Sequence, residues 1–229
     1  MWRDLGVAVT RLAADRELRC IIVRGAGERA FSPGNDIGEF ARERSNKGEA
    51  REYGAFMHET ARALEACPIP MIAQIHGICV GGGLEIAALC DLRICGVSSR
   101  FGAPIKNLGL VMAYAEMAPL VRLVGPDVAL EILLEGRIFD AAEAREKGLV
   151  TRVAADDDVA SEVAATAARI ADGAPLVARW HKKFARRLAD PAPISEAEAD
   201  ECFDCFDTED FRIGYAAFLA KQKPQFKGR

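Results

Sequence analysis

HGICVGGGLEIAALCD, residues 76–91, is the stretch on which the interpretation of the whole chain depends, because three consecutive glycines stand at its centre. Before it lies a short apolar run, 71–75, which follows the breaker Pro-Ile-Pro and is typical of a buried strand. After the glycines, Leu84, Ala87 and Ala88 recur at helical spacing. The glycines are therefore predicted to form a strand-to-helix turn, whose unpaired backbone N–H groups would attract an anion or an oxyanion.

The spacing of this turn argues against nucleotide binding. A dinucleotide fingerprint beginning at Gly81 requires Gly or Ala at position 86, which is Ile86, and no phosphate-binding loop motif occurs in the chain. Glu85 offers a carboxylate beside backbone donors, a combination that suits removal of a proton next to a carbonyl group. The alternative is a capping role, in which Glu85 folds back onto the free N–H groups, and spacing alone favours it.

The composition is typical of a soluble globular protein with one core and an extension: 229 residues, 50% hydrophobic and 28% charged. The net charge of −4 argues against nucleic acid as a partner. Residues 1–17 carry charged side chains among the apolar ones, so we expect no signal peptide, and no run has membrane-spanning length. Seven scattered cysteines indicate free thiols. We therefore expect a cytoplasmic protein that does not associate with a membrane.

Strands alternate with helices only in the first part of the chain, and from about residue 168 only helical periodicity is found. This order indicates an α/β fold with a core over residues 1–167 and a helical region over residues 168–229. Residues 101–105 are expected to form an irregular link. The predicted strands are 20–23, 71–75, 92–97 and 149–153, and the later helices are 112–123, 127–135, 140–147, 157–171 and 175–189.

Five motifs in order give the chain a resemblance that periodicity does not supply. They are AFSPGNDI (30–37), HGICVGGGLEIAALCD (76–91), FGAPIKNLGL (101–110), EGRIFDAAEAREKGLV (135–150) and DTEDFRIGYAAFLAKQKPQFKGR (207–229). With them the chain resembles the crotonase, or enoyl-CoA hydratase/isomerase, superfamily over nearly its whole length. The resemblance implies a spiral core of repeated ββα units and a C-terminal α-helical trimerisation region. It also implies a homotrimer or dimer of trimers, an acyl-CoA thioester substrate, and neither a separate cofactor nor a metal.

The same resemblance implies roles for individual residues. The backbone N–H groups of Asn35 and Gly82 would form an oxyanion hole, for which side-chain identity matters little. Glu85 would be the catalytic acid/base, which reverses the preference for capping. The predicted substrate-binding residues are Ala30, Asp36, Ile37, Ile105, Tyr114, Phe218 and Lys221, the last two being matched to contacts with the coenzyme.

The chain departs from the family where a second glutamate is expected, because that position is Ile105. Isoleucine cannot transfer a proton, and losing one of two such groups lowers a rate by about two to four powers of ten. Tyr114 and Glu116 are candidates for a replacement acid, although the favoured interpretation places Tyr114 in the core and Glu116 on a solvated helix face. If position 105 limits hydration, Ile105→Glu should raise it.

The resemblance therefore predicts a hydratase/isomerase-like enzyme that works with an oxyanion hole and a single glutamate. The alternatives are a one-carboxylate isomerase, thioesterase or decarboxylase on the same scaffold, or a non-catalytic acyl-CoA-binding protein. Two further expectations concern details. The chain starts within the first helix of the family, so its opening strand pair is expected to be missing, and His58 and His181 are expected to have no functional role.

Overall fold

The strands come in consecutive pairs that are divided between two sheets. The computed structural model describes residues 1–229 and contains eight strands: β1 (Ile21–Arg24), β2 (Ala30–Ser32), β3 (Met71–Ile75), β4 (Ile78–Val80), β5 (Leu92–Gly96), β6 (Arg100–Gly102), β7 (Phe139–Asp140) and β8 (Arg152–Ala154). One sheet has the order β1-β3-β5-β8 and is entirely parallel. The other has the order β2-β4-β6-β7, with only β7 antiparallel to its neighbour.

Helices connect one pair of strands to the next. They are α1 (Trp2–Ala13), α2 (Phe40–Glu43), α3 (Lys47–Ala66), α4 (Gly82–Leu89), α5 (Tyr114–Glu135), α6 (Ala141–Glu146), α7 (Val159–Ala171), α8 (Pro175–Arg187), α9 (Glu196–Asp200) and α10 (Glu209–Leu219), with short 3₁₀ helices between several of them. Each successive ββα turn adds one strand to each sheet, so the chain winds as a spiral. The predicted α/β fold with a spiral of ββα units is confirmed.

Several predicted boundaries need correction. The expected irregular link at 101–105 is instead strand β6 followed by a 3₁₀ helix, Pro104–Leu108. The strand expected at 149–153 begins later, at Arg152. The two helices expected around 112–135 are merged in α5, which is interrupted at Gly125, where φ is +80°. A three-residue strand is too short to show a period in sequence, which explains why β4 and β6 were not predicted.

The core lies on both faces of the parallel sheet. All five residues of β3 are buried, as expected for the central strand of a sheet covered on both sides. One face packs against the main apolar cluster, which includes Leu64 and Leu84. On the other face Ile72 packs with Val159 and Val163 of α7. Because α7 covers the sheet, the expected domain boundary at 167/168 falls within a helix of the core.

Helix α8 is held to the core by partly buried ion pairs that Lys182 and Arg186 make with Asp91. Lys182 of α8 lies 2.7 Å from the carboxylate of Asp91 and donates a hydrogen bond of 2.7 Å to the carbonyl of Ile69. Further along, several aromatic side chains are exposed on the C-terminal segment: Phe203, Phe206, Phe211, Tyr215 and Phe218. None of the helices combines the length and the apolar character needed to cross a membrane.

Candidate active site

A cavity of about 770 Å³ opens at the N-terminus of α4. Its walls come from five parts of the chain: the loop after β2, helix α2, the face of α3 between Ala50 and Arg62, the end of β4 with the first turn of α4, and the segment from Pro104 to Glu116. Elements far apart in sequence therefore meet here because the spiral returns the chain to the same edge of the second sheet. The cavity has the size of a typical small-molecule site.

The glycines of the central motif bring α4 close to β2. Gly81 has a φ of +50°, a backbone conformation that residues other than glycine rarely adopt. A Cβ atom at Gly83 would lie only 2.6 Å from the carbonyl oxygen of Ser32. The strand-to-helix turn predicted from sequence is confirmed, and its glycines are required by geometry and by close packing.

Two backbone amides without partners lie next to each other at the cavity wall. Gly82 is the first residue of α4, so its N–H has no partner within the helix. The loop carrying Asn35 lies against this point, since a Cβ atom at Gly34 would be 3.5 Å from the nitrogen of Gly82. The Asn35 N–H donates no hydrogen bond within the chain. The side-chain Oδ1 of Asn35 accepts a hydrogen bond of 2.7 Å from the indole of Trp2, which holds the loop in place.

Glu85 projects into the same cavity from the first turn of α4. Its Oε2 atom is shielded from solvent and has no hydrogen-bond partner, so Glu85 does not cap the helix in the way that spacing alone favoured. Burial, together with the negative charge of Glu116 and opposed by Arg44, raises the pKa of Glu85 from its ordinary 4.5 to about 8. A carboxyl group with this pKa is mostly protonated at neutral pH and can give or take a proton.

Glu116 lies at the cavity wall and not on a solvated helix face, which corrects the favoured interpretation of that residue. Its side chain is only 16% exposed. Oε1 lies 3.3 Å from Nε2 of His58, and Oε2 accepts a hydrogen bond of 3.0 Å from the backbone N–H of Ala113. His58 also lines the cavity, although no role was expected for it. The site thus contains a second carboxyl group and an imidazole.

The remaining predicted residues divide into two groups. Ile37 and Ile105 line the cavity. Five do not: Ala30, Asp36, Tyr114, Phe218 and Lys221. Ala30 is part of β2 and pairs with Ile78, while Asp36 caps the short 3₁₀ helix that follows it through a 2.8 Å hydrogen bond from the N–H of Gly38.

Tyr114 and the two C-terminal residues are exposed to solvent. Tyr114 is 94% exposed, so the interpretation that it packs into the core is wrong, while its contact with substrate stays a prediction. Phe218 is 82% exposed and lies at the end of α10, and Lys221 is exposed just beyond it. Neither reaches the cavity of its own chain.

Sequence reasoning missed two contributors to the site, Trp2 and His58. The indole of Trp2 is buried against the loop of Asn35, a contact between residues 33 positions apart. His58 belongs to a stripe on α3 that includes Ala50, Gly54 and Arg62, spaced as one helix face. The sequence shows the spacing of this helix face, but nothing in the sequence identifies Glu116 on α5 as the partner of His58.

Comparisons with known proteins agree with this architecture. The sequence profile described as enoyl-CoA hydratase/isomerase matches residues 1–229. A crotonyl-CoA hydratase from Syntrophomonas wolfei is 36% identical over 96% of this chain and 84% of its own length. A short-chain-enoyl-CoA hydratase from Clostridium acetobutylicum is 31% identical over 99% of this chain and 87% of its own.

A crystal structure described as an enoyl-CoA hydratase/carnithine racemase from Magnetospirillum magneticum superposes with a TM-score of 0.98. It is 53% identical and covers 100% of this chain and 86% of that one. The fold is therefore the crotonase spiral, as the two sheets and their ββα turns indicate. The chain belongs to the enoyl-CoA hydratase/isomerase family and is an enzyme of that family.

Proposed function

We propose that this protein adds water across the double bond of an enoyl-CoA thioester. The observation that carries the proposal is the position of Glu85, whose shielded and unpartnered carboxyl oxygen shares one cavity with the backbone amides of Asn35 and Gly82. Two relatives, a crotonyl-CoA hydratase and a short-chain-enoyl-CoA hydratase, are named for this reaction.

The two amides would polarise the thioester carbonyl. As water adds to the β carbon, negative charge moves to the carbonyl oxygen, and donors already fixed in place stabilise that charge without reorganisation. Glu85, being mostly protonated at neutral pH, would then give its proton to the α carbon as the enolate collapses. Removing one oxyanion-hole donor in another enzyme lowers the rate by about two to three powers of ten.

The exposed residues Phe218 and Lys221 favour the association of several copies of the chain. Phe218 and Lys221 do not line the cavity of their own chain, which favours contact with a substrate bound to a second copy. The exposed aromatic side chains of α10 are suited to such an interface. We propose a trimer or dimer of trimers, located in the cytoplasm, that needs no cofactor beyond the coenzyme A of the substrate.

One observation favours a second candidate, isomerisation of an enoyl-CoA. Ile105 lines the cavity where the family resemblance places a second glutamate. A single carboxyl group beside an oxyanion hole is enough to move a proton from one carbon to another, since the same group takes and returns it. An isomerase would shift the double bond and leave the oxygen content of the substrate unchanged.

The test is incubation of the purified chain with crotonyl-CoA in water labelled with ¹⁸O, followed by mass spectrometry of the thioester and of free coenzyme A. Hydration gives a 3-hydroxyacyl-CoA that carries the label. Glu85→Gln removes the proton-transferring group with little change of shape, so it should abolish label incorporation. Glu59→Gln, on the exposed side of α3, is the matched control and should not.

Other outcomes identify the alternatives. A shifted double bond in a β,γ-enoyl-CoA without the label indicates an isomerase, and release of free coenzyme A indicates a thioesterase. Binding of the thioester that is unaffected by Glu85→Gln, with no turnover of any substrate, contradicts the proposal and indicates a binding protein.

A further inference from the structure

Ile105 leaves the expected second acid/base position without a titratable group, yet the cavity contains one elsewhere. Glu116, in the first turn of α5, lines the same cavity as Glu85. The two carboxyl groups also border a second, smaller cleft together. The chain therefore has two glutamates at one site, although the second comes from a position eleven residues after Ile105.

The contacts of Glu116 leave it free to bind a water molecule. Its Oε1 lies 3.3 Å from Nε2 of His58, and its Oε2 accepts a hydrogen bond from the Ala113 N–H. A carboxylate offers about four lone-pair sites, so these two contacts leave about two unused. His58 is on α3 and Glu116 on α5, so the pair connects two adjacent helices of the cavity wall and fixes the orientation of the carboxylate.

We propose that Glu116, oriented by His58, is the second proton-transferring group of this enzyme and activates the water that attacks the enoyl-CoA. The inference rests on the proposed hydration and adds the residue that Ile105 does not supply. Glu116 would be a catalytic residue, because it contacts the attacking water, and His58 a positioning residue, because it acts through Glu116.

The electrostatics of the site are consistent with two different roles. The negative charge of Glu116 contributes to raising the pKa of Glu85, while Arg44 opposes the increase. When the environments of two carboxyl groups give them different pKa values, one group can serve as an acid and the other as a base at the same pH. Glu85, with its raised pKa, then begins the reaction protonated, and Glu116 has the role of the base in the proposed reaction.

The resulting step is balanced. Glu116 accepts a proton from water while the water oxygen forms a bond to the β carbon. The electron pair of the double bond moves onto the thioester carbonyl oxygen, which the N–H groups of Asn35 and Gly82 hold. Glu85 then gives its proton to the α carbon as the carbonyl reforms. The product gains the elements of one water, namely the hydroxyl group of the attacking water and the α proton from Glu85. Glu116 then releases a proton to solvent and Glu85 takes one up, which restores both groups.

A purely structural role for Glu116 predicts different behaviour. Its bond to the Ala113 N–H satisfies a free amide at the start of α5. Glutamine retains the acceptor oxygen for that bond but cannot accept a proton. Glu116→Gln therefore preserves the cap and removes only the proposed chemistry, and Glu59→Gln on exposed α3 surface is the matched control.

The experiment measures two reactions in each variant. Hydration of crotonyl-CoA needs both glutamates, whereas exchange of the α protons of butyryl-CoA with deuterated water needs only Glu85 and the oxyanion hole. We expect Glu116→Gln to lower kcat for hydration by about two to four powers of ten, with exchange kept within about threefold of the parent. Glu85→Gln should lose both reactions, and Glu59→Gln neither.

His58 is tested by how its effect divides between kcat and KM. His58→Ala should lower kcat for hydration by about tenfold with little change in KM, since it disturbs the orientation of a catalytic group and not substrate binding. His58→Gln can still donate to Glu116 and should recover part of the loss. His181→Ala, on the exposed surface of α8, is the matched control and should behave as the parent.

The outcomes separate the inference from the proposed function. Hydration by Glu116→Gln at the parental rate overturns the inference and leaves the proposed hydration intact. Equal loss of hydration and exchange in Glu116→Gln also overturns it, because that pattern indicates a general structural effect. A parent that exchanges α protons but incorporates no labelled oxygen contradicts the proposed function itself.

Discussion

Replacing Glu85 by glutamine should make the protein more stable while removing its activity. The shielded Oε2 of Glu85 has no partner, and burial disfavours its charged form. Glutamine has nearly the same shape and no charge to desolvate. The substitution therefore removes a group whose ionisation opposes folding, and the effect should depend on pH in a way that can be calculated.

The magnitude follows from the pKa of Glu85, which is raised from its ordinary 4.5 to about 8. Between these values the folded chain holds a proton that the unfolded chain has released, so the free energy of unfolding falls as pH rises. The fall begins near pH 4.5 and is complete above about pH 8. At about 1.4 kcal/mol per pKa unit, the total is on the order of 5 kcal/mol.

Urea unfolding of the parent and of Glu85→Gln measures this effect when repeated across the pH range at one fixed subunit concentration. Groups that do not interact with Glu85 titrate equally in both proteins, so the difference between the proteins reports Glu85 and its coupling to Glu116 and Arg44. We expect the variant to gain stability relative to the parent by several kcal/mol between about pH 4 and about pH 9. Over the same range, hydration by the parent should decline above about pH 8 as Glu85 loses its proton.

A constant difference between parent and variant across the pH range would refute this reasoning, because it would show that Glu85 has the same pKa in the folded and unfolded chains. A difference that changes in the opposite direction would also refute it. Such a result would mean that the folded protein stabilises the ionised carboxylate.

Three further predictions concern the loop of Asn35, position 105 and the binding of coenzyme A thioesters. Trp2→Phe removes the hydrogen bond to Asn35, so kcat for crotonyl-CoA hydration should fall about ten- to a hundredfold as the loop of Asn35 loosens. Trp180→Phe is the control and should have no effect. A Trp2→Phe variant as fast as the parent would contradict the role of the indole. Ile105→Glu should not raise hydration, because Glu116 already supplies the second carboxyl group; a gain of about two powers of ten would instead show that position 105 is limiting. Crotonyl-CoA at a hundred times its Kd should stabilise the fold by about 2.7 kcal/mol in thermal unfolding, and NAD should not; the reverse pattern would contradict coenzyme A recognition.

Local sequence determined the central turn and one catalytic candidate. Gly81, Gly83 and Glu85 lie within five residues, and the physical requirements on them are local: a positive φ, close approach of a helix to a strand, and a carboxyl group in the first helical turn. The family resemblance added the spiral and the loop of Asn35. These features could be predicted because each depends on neighbours in sequence or on a motif of fixed spacing.

Tertiary structure alone decided what surrounds Glu85. Glu116 and His58 are 58 residues apart, and Trp2 and Asn35 are 33 apart, so neither contact leaves a periodic signal in the sequence. Whether a glutamate on an amphipathic helix faces solvent or a cavity depends on what packs against that helix. Here the turns of the spiral bring α3 and α5 into contact with each other and with α4. That packing, and not any local pattern, places a second carboxyl group beside the first.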